Sequence, residues 1–314
     1  MSLLVGLGLF GGGLVLVLFF AERLVDSTVA VAHRFGVSAF LISVLFIGFD
    51  PENLAVGAVA SYEGTAGIAL GTIVGAAMVA LTLAFGITAV IVPLDFGQVP
   101  RRILVLPVGA VLLLTGLALD GRLSRTDGAL LLAGYVGAVL LLLRWERAGL
   151  HVAPTEAVDE EIDEGASTVR SAIWLVASLG GIVLGSELLV RGARPLVAAL
   201  GWTETTFGMT LLALVVSVEE VARELPAALK GRPDISFGNV LGSALAFFCF
   251  NAGIIALVRP VPVAPTTRYF YLPVCGGAVL LIALLMDRRR VSRWSGAFLL
   301  LVYAAFVAGP SLVG

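Results

Sequence analysis

Long apolar runs separated by short polar connections set the pattern of this chain. Runs near 3–31, 37–61, 66–94, 102–119 and 127–145 precede one extended polar stretch, and runs near 171–199, 204–229, 234–258, 269–286 and 294–312 follow it. A helix needs about 20 apolar residues to cross the hydrocarbon core of a bilayer, and each run is of that order. The pattern therefore predicts an all-α integral membrane protein of about ten transmembrane helices. Met1 to Phe20 carries no positive flank and no small-residue cleavage site, so it reads as the first span and not as a cleaved signal peptide.

The pattern also repeats. Gly36 set against Gly201 gives a shift of 165 and aligns Glu22-Arg-Leu-Val with Glu187-Leu-Leu-Val. Glu52-Asn-Leu-Ala faces Glu220-Val-Ala-Arg at a shift of 168, and Ile68-Ala-Leu-Gly-Thr-Ile-Val-Gly-Ala-Ala faces Ile235-Ser-Phe-Gly-Asn-Val-Leu-Gly-Ser-Ala at 167. Chance likeness between apolar helices supplies one such block, not three in order. Each half holds five spans, an odd number, so the second half enters the membrane from the opposite side. That is an inverted-topology repeat, an architecture whose substrate sites lie near the midplane between the repeats. The expected organisation is a first five-helix repeat over 1–145, an acidic linker over 146–170 and a second five-helix repeat over 171–314.

Composition agrees. The chain is 59% hydrophobic and 13% charged, against about 45–50% and about 25% in soluble domains, so lipid is the solvent its surface suits. A net charge of −2 and scattered arginines exclude a nucleic-acid partner. Arg34, Arg101, Arg102, Arg144, Arg147, Arg170, Lys230, Arg232, Arg288, Arg289, Arg290 and Arg293 collect on one side. Arg122, Arg125, Arg191, Arg194, Arg259 and Arg268 fall on the other. The positive-inside rule then makes the first side cytoplasmic and puts both termini outside the cell membrane. Glu156, Asp159, Glu160, Glu161, Asp163 and Glu164 read as a solvated cytoplasmic linker. Cys249 and Cys275 read as buried small hydrophobes, and His33 and His151 as solvated groups at span ends. No Cys/His grouping suggests zinc or copper, and no cofactor is expected.

Carboxylates at membrane depth are the anomaly. An ionised side chain there costs at least about 2.5–3.5 kcal/mol, which makes a functional role the default for Glu52 and Asp50. Both lie in Gly48-Phe49-Asp50-Pro51-Glu52-Asn53, where Pro51 removes a backbone donor and is expected to break the span. In the second half Ser217-Val-Glu219-Glu220-Val-Ala-Arg223-Glu224 takes the place of that proline-containing break. Glu220 and Glu224 are one turn apart and share a helix face, whereas Glu219 points elsewhere. Glu220 is the expected ligand, with Glu219 or Glu224 as a second ligand, a proton carrier or a partner for Arg223. Gly71-x-x-x-Gly75 and Gly238-x-x-x-Gly242 allow close helix approach, and Thr72, Asn239 and Ser243 add polar groups beside them. Such oxygen-rich surroundings suit calcium, sodium or magnesium.

These residues resemble the sodium/calcium exchanger branch of the cation/calcium antiporter superfamily. That family carries, in each half, Gly-Thr-Ser-x-Pro-Glu followed by Gly-Asn-x-x-Gly-Ser-Asn, and the matching stretches here fall within 36–80 and 201–251. The resemblance implies that Glu52 and Glu220 are cation ligands, with Ser217 and Ser243 as the motif serines and Thr72 in the first Gly-Asn-x-x-Gly position. Phe49-Asp50 stands where Thr-Ser is expected, Glu219 replaces the second proline, and Ala76, Ala80 and Phe247 replace further polar ligands.

The resulting expectation is a monomeric secondary antiporter and not an enzyme: no nucleophile or catalytic metal pair is present at depth. Calcium would be the exported ion, exchanged for sodium by alternating access, with Glu52, Glu220, Asp50, Ser217, Ser243, Glu219 and Thr72 as the metal-site residues. Protons are the alternative coupling ion, since hydroxyl ligands are lost while acidic groups are gained. A non-transporting sensor or scaffold on a degenerate exchanger fold is the alternative of another class.

Overall fold

The computed structural model describes residues 2–34, 50–96, 101–147, 168–231 and 233–313. Residues 148–167 of the acidic linker, His151 among them, and the first half of the second span lie outside these residues, as does the side chain of His33. The described residues are almost wholly helical. Helix α1 (Leu3–Arg34) and α2 (Pro51–Glu63) are followed by α3 (Ala66–Ile91), strand β1 (Leu94–Asp95) and α4 (Arg102–Asp120). Strand β2 (Arg122–Leu123) leads to α5 (Arg125–Arg147) and, past the linker, to α6 (Thr168–Leu200). Next come α7 (204–216), α8 (Glu219–Leu229), α9 (233–258) and β3 (Val261–Pro262). The chain closes with α10 (Thr267–Asp287), β4 (Arg290–Val291) and α11 (Arg293–Val313).

Eight of these segments are long and apolar enough to cross a membrane. The apolar stretch Arg293–Gly309 of α11 and the described half of the second span, α2, complete the ten that the hydropathy pattern predicts. The helices turn apolar side chains outward, with Leu4, Leu112, Leu140, Leu284 and Leu301 all exposed. Inside, α3 and α9 form the centre, and their residues from Ile68 to Phe85 and from Phe237 to Ile255 are almost all buried. Cys249 and Cys275 are buried free thiols.

Two-fold pairing between the halves is visible in detail. Leu94 pairs with Val291, and their repeat mates, Val261 and Leu123, pair with each other. Helix α3 crosses α11 at Gly86 and Gly296, whereas α9 crosses α5 at Gly253 and Gly128, and a Cβ at any of the four would crowd the partner's backbone or side chains. Gly86 and Gly253 differ by the same 167 residues that align the two sequence blocks. The π-helical turns Val79–Ala84 and Ala246–Asn251 share that offset. α1 and α6, the first helices of the two halves, lie against each other, with Gly13 and Gly185 at their contact.

On the side of β2 and β3, arginines seal helix ends. Arg259 donates to the Tyr62 carbonyl, Arg125 to those of Leu257 and Val258, and Arg268 to that of Leu119. These carbonyls close the C-terminal turns of α2, α9 and α4, where cationic groups are favoured.

Candidate cation site

A helix start and a helix interruption build the site. The first is the start of α2. Asp50 is its N-cap, with non-helical backbone (φ −131°, ψ 84°), and its carboxylate accepts from the Asn53 amide at 2.9 Å. Pro51 fits the first helical turn because its missing N–H would have no helical partner there. The described residues thus start a helix at Pro51, and the part of the span before Asp50, where the expected break would be judged, lies outside them.

The interruption, in the second half, has no proline. Helix α7 ends at Val216, Ser217 leaves helical geometry (φ −104°, ψ 19°), and α8 starts at Glu219. The Glu220 amide reaches the Ser217 carbonyl at 3.2 Å, a tightened turn in place of the regular ladder. Both halves therefore present a helix N-terminus inside the protein, with buried side chains around it.

Asn53 joins the helix start to the interruption. Its Nδ2 donates to Asp50 Oδ2 at 2.7 Å and to Ser217 Oγ at 2.8 Å. Asp50, Glu52, Asn53 and Ser217 have no solvent exposure. The carboxylates of Asp50 and Glu52, from the first half, and of Glu219, from the second, bring oxygens within 4.8 Å of one another. At that separation each ionised pair repels by about 3–4 kcal/mol for an effective dielectric near 20. A divalent or monovalent hard cation among the oxygens relieves that repulsion, and carboxylate-only donors suit calcium or sodium.

The remaining predicted residues surround this cluster. Glu220, next to Glu219, turns to α9 and accepts from Asn239 Nδ2 at 2.8 Å. The same nitrogen donates to Glu224 at 3.2 Å. Ser243 is fully buried on α9, one turn beyond Asn239, and its hydroxyl has no partner among the described residues. Thr72 donates to the Ala69 carbonyl of its own helix at 2.9 Å, and Gly57 of α2 leaves the room that the Thr72 hydroxyl fills. The side chain of Arg223 lies outside the described residues. Four π turns, Gly71–Gly75, Val79–Ala84, Gly208–Leu212 and Ala246–Asn251, sit in the three helices that enclose these groups. Such turns are frequent at functional sites, since they rotate the following side chains.

A family profile described as "Sodium/calcium exchanger protein" matches residues 5–144 and 170–311. The chain belongs to that family. It is 25% identical to the sodium/calcium exchanger MaX1 of Methanosarcina acetivorans across 94% of this chain and 95% of the relative. Over a shorter stretch, 46% of this chain and 40% of the relative, it is 30% identical to the Ca(2+)/H(+) antiporter of Synechocystis sp.. Its fold matches the sodium-calcium exchanger NCX_Mj with a TM-score of 0.62 and 26% identity, over 98% of this chain and 99% of that one. The protein is accordingly a multi-pass membrane transporter for cations and not an enzyme.

The sequence reading misses the roles of two amides. Asn53 stands next to the carboxylates in sequence but shows no periodicity or spacing that marks it as a tether. Asn239 is legible as a polar group beside Gly238, though not as the shared donor to Glu220 and Glu224. Asn251 is a third buried amide, with neither polar atom partnered among the described residues.

Proposed function

We propose that this exchanger-family antiporter moves calcium against sodium by alternating access, with the transported cation held between the start of α2 and the break before α8. The observation that carries this reading is the convergence of Asp50, Glu52 and Glu219 from opposite halves within 4.8 Å. A site shared by two inverted halves can open to one side or the other by a change in how the halves pack, while its ligands stay in place. Calcium and sodium both seek oxygen ligands, so they compete for the same carboxylates and one must leave before the other binds. Ser217 adds a hydroxyl at the same break. Glu220, Ser243 and Thr72 complete the predicted ligand set on the surrounding helices.

Proton coupling is the second reading. Asp50 and Glu219 supply carboxylates where the family's motifs have neutral residues, and carboxylates carry protons whereas hydroxyls do not. On either reading the arginine-rich side containing β1 and β4 is cytoplasmic, both termini lie outside, and the transporting unit is one chain.

Calcium-45 uptake into proteoliposomes under an imposed sodium gradient, and separately under a pH gradient, decides between these readings. Uptake driven by outward sodium and indifferent to the pH gradient supports sodium/calcium exchange. The converse supports proton coupling, and flux independent of either gradient, or none, removes antiport and leaves a sensor or scaffold.

A further inference from the structure

Asn251 ends the π turn Ala246–Asn251 of α9 with an amide that has no solvent exposure and no partner on either polar atom among the described residues. A leucine fills such a place without penalty, whereas an amide buried unpaired costs more than an ordinary hydrogen bond returns. Its position follows from α2. Gly57 of α2 lies so close to Ile255 that a Cβ there would strike the isoleucine side chain. One turn further on, Ser61 donates to the carbonyls of Ile255 and Arg259 at 3.1 and 3.0 Å. The partners advance together, so α2 and this part of α9 run side by side in the same direction. One turn back from Gly57 stands Asn53, and one turn back from Ile255 stands Asn251. Helix α2 also packs on the π turn itself.

The two amides are complementary. Asn53 Nδ2 donates both its protons, to Asp50 and Ser217, which leaves Oδ1 as a buried acceptor without a described partner. Asn251 Nδ2 is a buried donor without one. Thr72, which meets α2 at Gly57, gives its proton to the Ala69 carbonyl and keeps its oxygen lone pairs. A donor and two acceptors converging on one place without bonding one another are the partners that a single buried water takes.

We infer that Asn251 is a positioning residue of the cation site: through one water it holds Asn53 Oδ1, and through Asn53 it fixes the Asp50 carboxylate and the Ser217 hydroxyl from α9. The chain of hydrogen bonds joins three elements, the start of α2, the break before α8 and the π turn of α9. A π turn is a rare register that marks functional sites, and any change in this one moves the amide at its end. That movement reaches the Asp50 carboxylate through two side chains. This inference rests on the antiport reading, because it assigns Asn251 to the site of the transported cation.

Calcium-45 binding and thermal unfolding of the purified full chain in nanodiscs, run on a double-mutant cycle, test it. Asn251→Leu removes both polar atoms and keeps the volume. It is expected to weaken calcium binding about three- to tenfold, the effect of one neutral hydrogen bond, without lowering the unfolding temperature. In Asn53→Ala protein the same substitution is expected to change the affinity less than about twofold, because the link is already cut. Asn251→Ala is expected to reproduce the loss of affinity and covers the case in which leucine does not fit. An amide that serves packing alone gives a shifted unfolding temperature with calcium affinity unchanged, or equal losses of affinity with and without Asn53. Either result overturns the inference, and if gradient-driven flux persists in the wild type, the antiport reading stands. A wild type that binds no calcium also overturns it, and absence of gradient-driven flux removes the antiport reading as well.

Discussion

Replacing Asn53 with alanine cuts the described hydrogen-bonded link between the start of α2 and the break before α8. Two bonds are lost, one to the Asp50 carboxylate at 2.7 Å and one to the Ser217 hydroxyl at 2.8 Å. A hydrogen bond to a charged group contributes about 1.5–3 kcal/mol and one between neutral groups about 0.5–1.5 kcal/mol, so the loss totals roughly 2–4 kcal/mol. Not all of it reaches the site. Asp50 keeps its backbone bond from the residue-53 amide, which survives in alanine, and α2 still starts at Pro51. The expected loss in calcium affinity is therefore about 10- to 100-fold, or roughly 1.4–2.8 kcal/mol. Calcium-45 binding and the KM for uptake both measure it. A double-mutant cycle with Ser217→Ala isolates the link: the two substitutions together should cost about 0.5–1.5 kcal/mol less than the sum of each alone. Strictly additive effects, or an affinity unchanged in Asn53→Ala, would refute the tether.

Glu52→Gln should abolish gradient-driven calcium flux while the protein still elutes as a folded species, because the amide keeps the side chain's shape but not its charge. Asp50→Asn should weaken calcium binding about tenfold yet preserve α2, since asparagine caps a helix as well as aspartate does; circular dichroism and binding separate the two effects. Gly71→Ala and Gly208→Ala should each lower stability by about 1–3 kcal/mol in detergent thermal unfolding, because a Cβ on Gly71 strikes the Gly208 backbone and one on Gly208 strikes that of Gly67. Glu63→Ala releases Arg194 and Arg191, which reach it at 2.9 and 3.6 Å. Both arginines are more than half exposed, so the expected stability change is under about 1 kcal/mol and fades with added salt.

The architecture was legible because it follows from span length and parity. Five apolar runs in each half require opposite entry into the membrane, and the 167-residue offset read between Ile68 and Ile235 returns in the strand partners Leu94 and Val261. Asp50 and Pro51 announced the helix start, since aspartate at the cap and proline in the first turn favour one wherever they occur. The break before α8 was not legible. Ser217 and Val218 carry no proline or glycine, and an unbroken helix pattern runs through them; tertiary packing, not local propensity, ends α7 there. The same interruption explains Glu219. Read along a continuous helix it merely points away from Glu220, and only the bend at Ser217 shows that this direction is toward Asp50 and Glu52. Asn53 was hidden for another reason. A buried amide that bridges two segments 164 residues apart leaves no trace in either segment's periodicity.

The central claim is that the start of α2 and the break before α8 hold the transported cation between them. The most direct measurement is a crystal structure of the chain soaked with calcium or strontium, read by anomalous scattering. The account predicts a peak coordinated by the carboxylates of Asp50, Glu52 and Glu219 at about 2.3–2.6 Å, the distance range of calcium–oxygen bonds. A cation bound only elsewhere, with these three carboxylates held by protein hydrogen bonds alone, would contradict it.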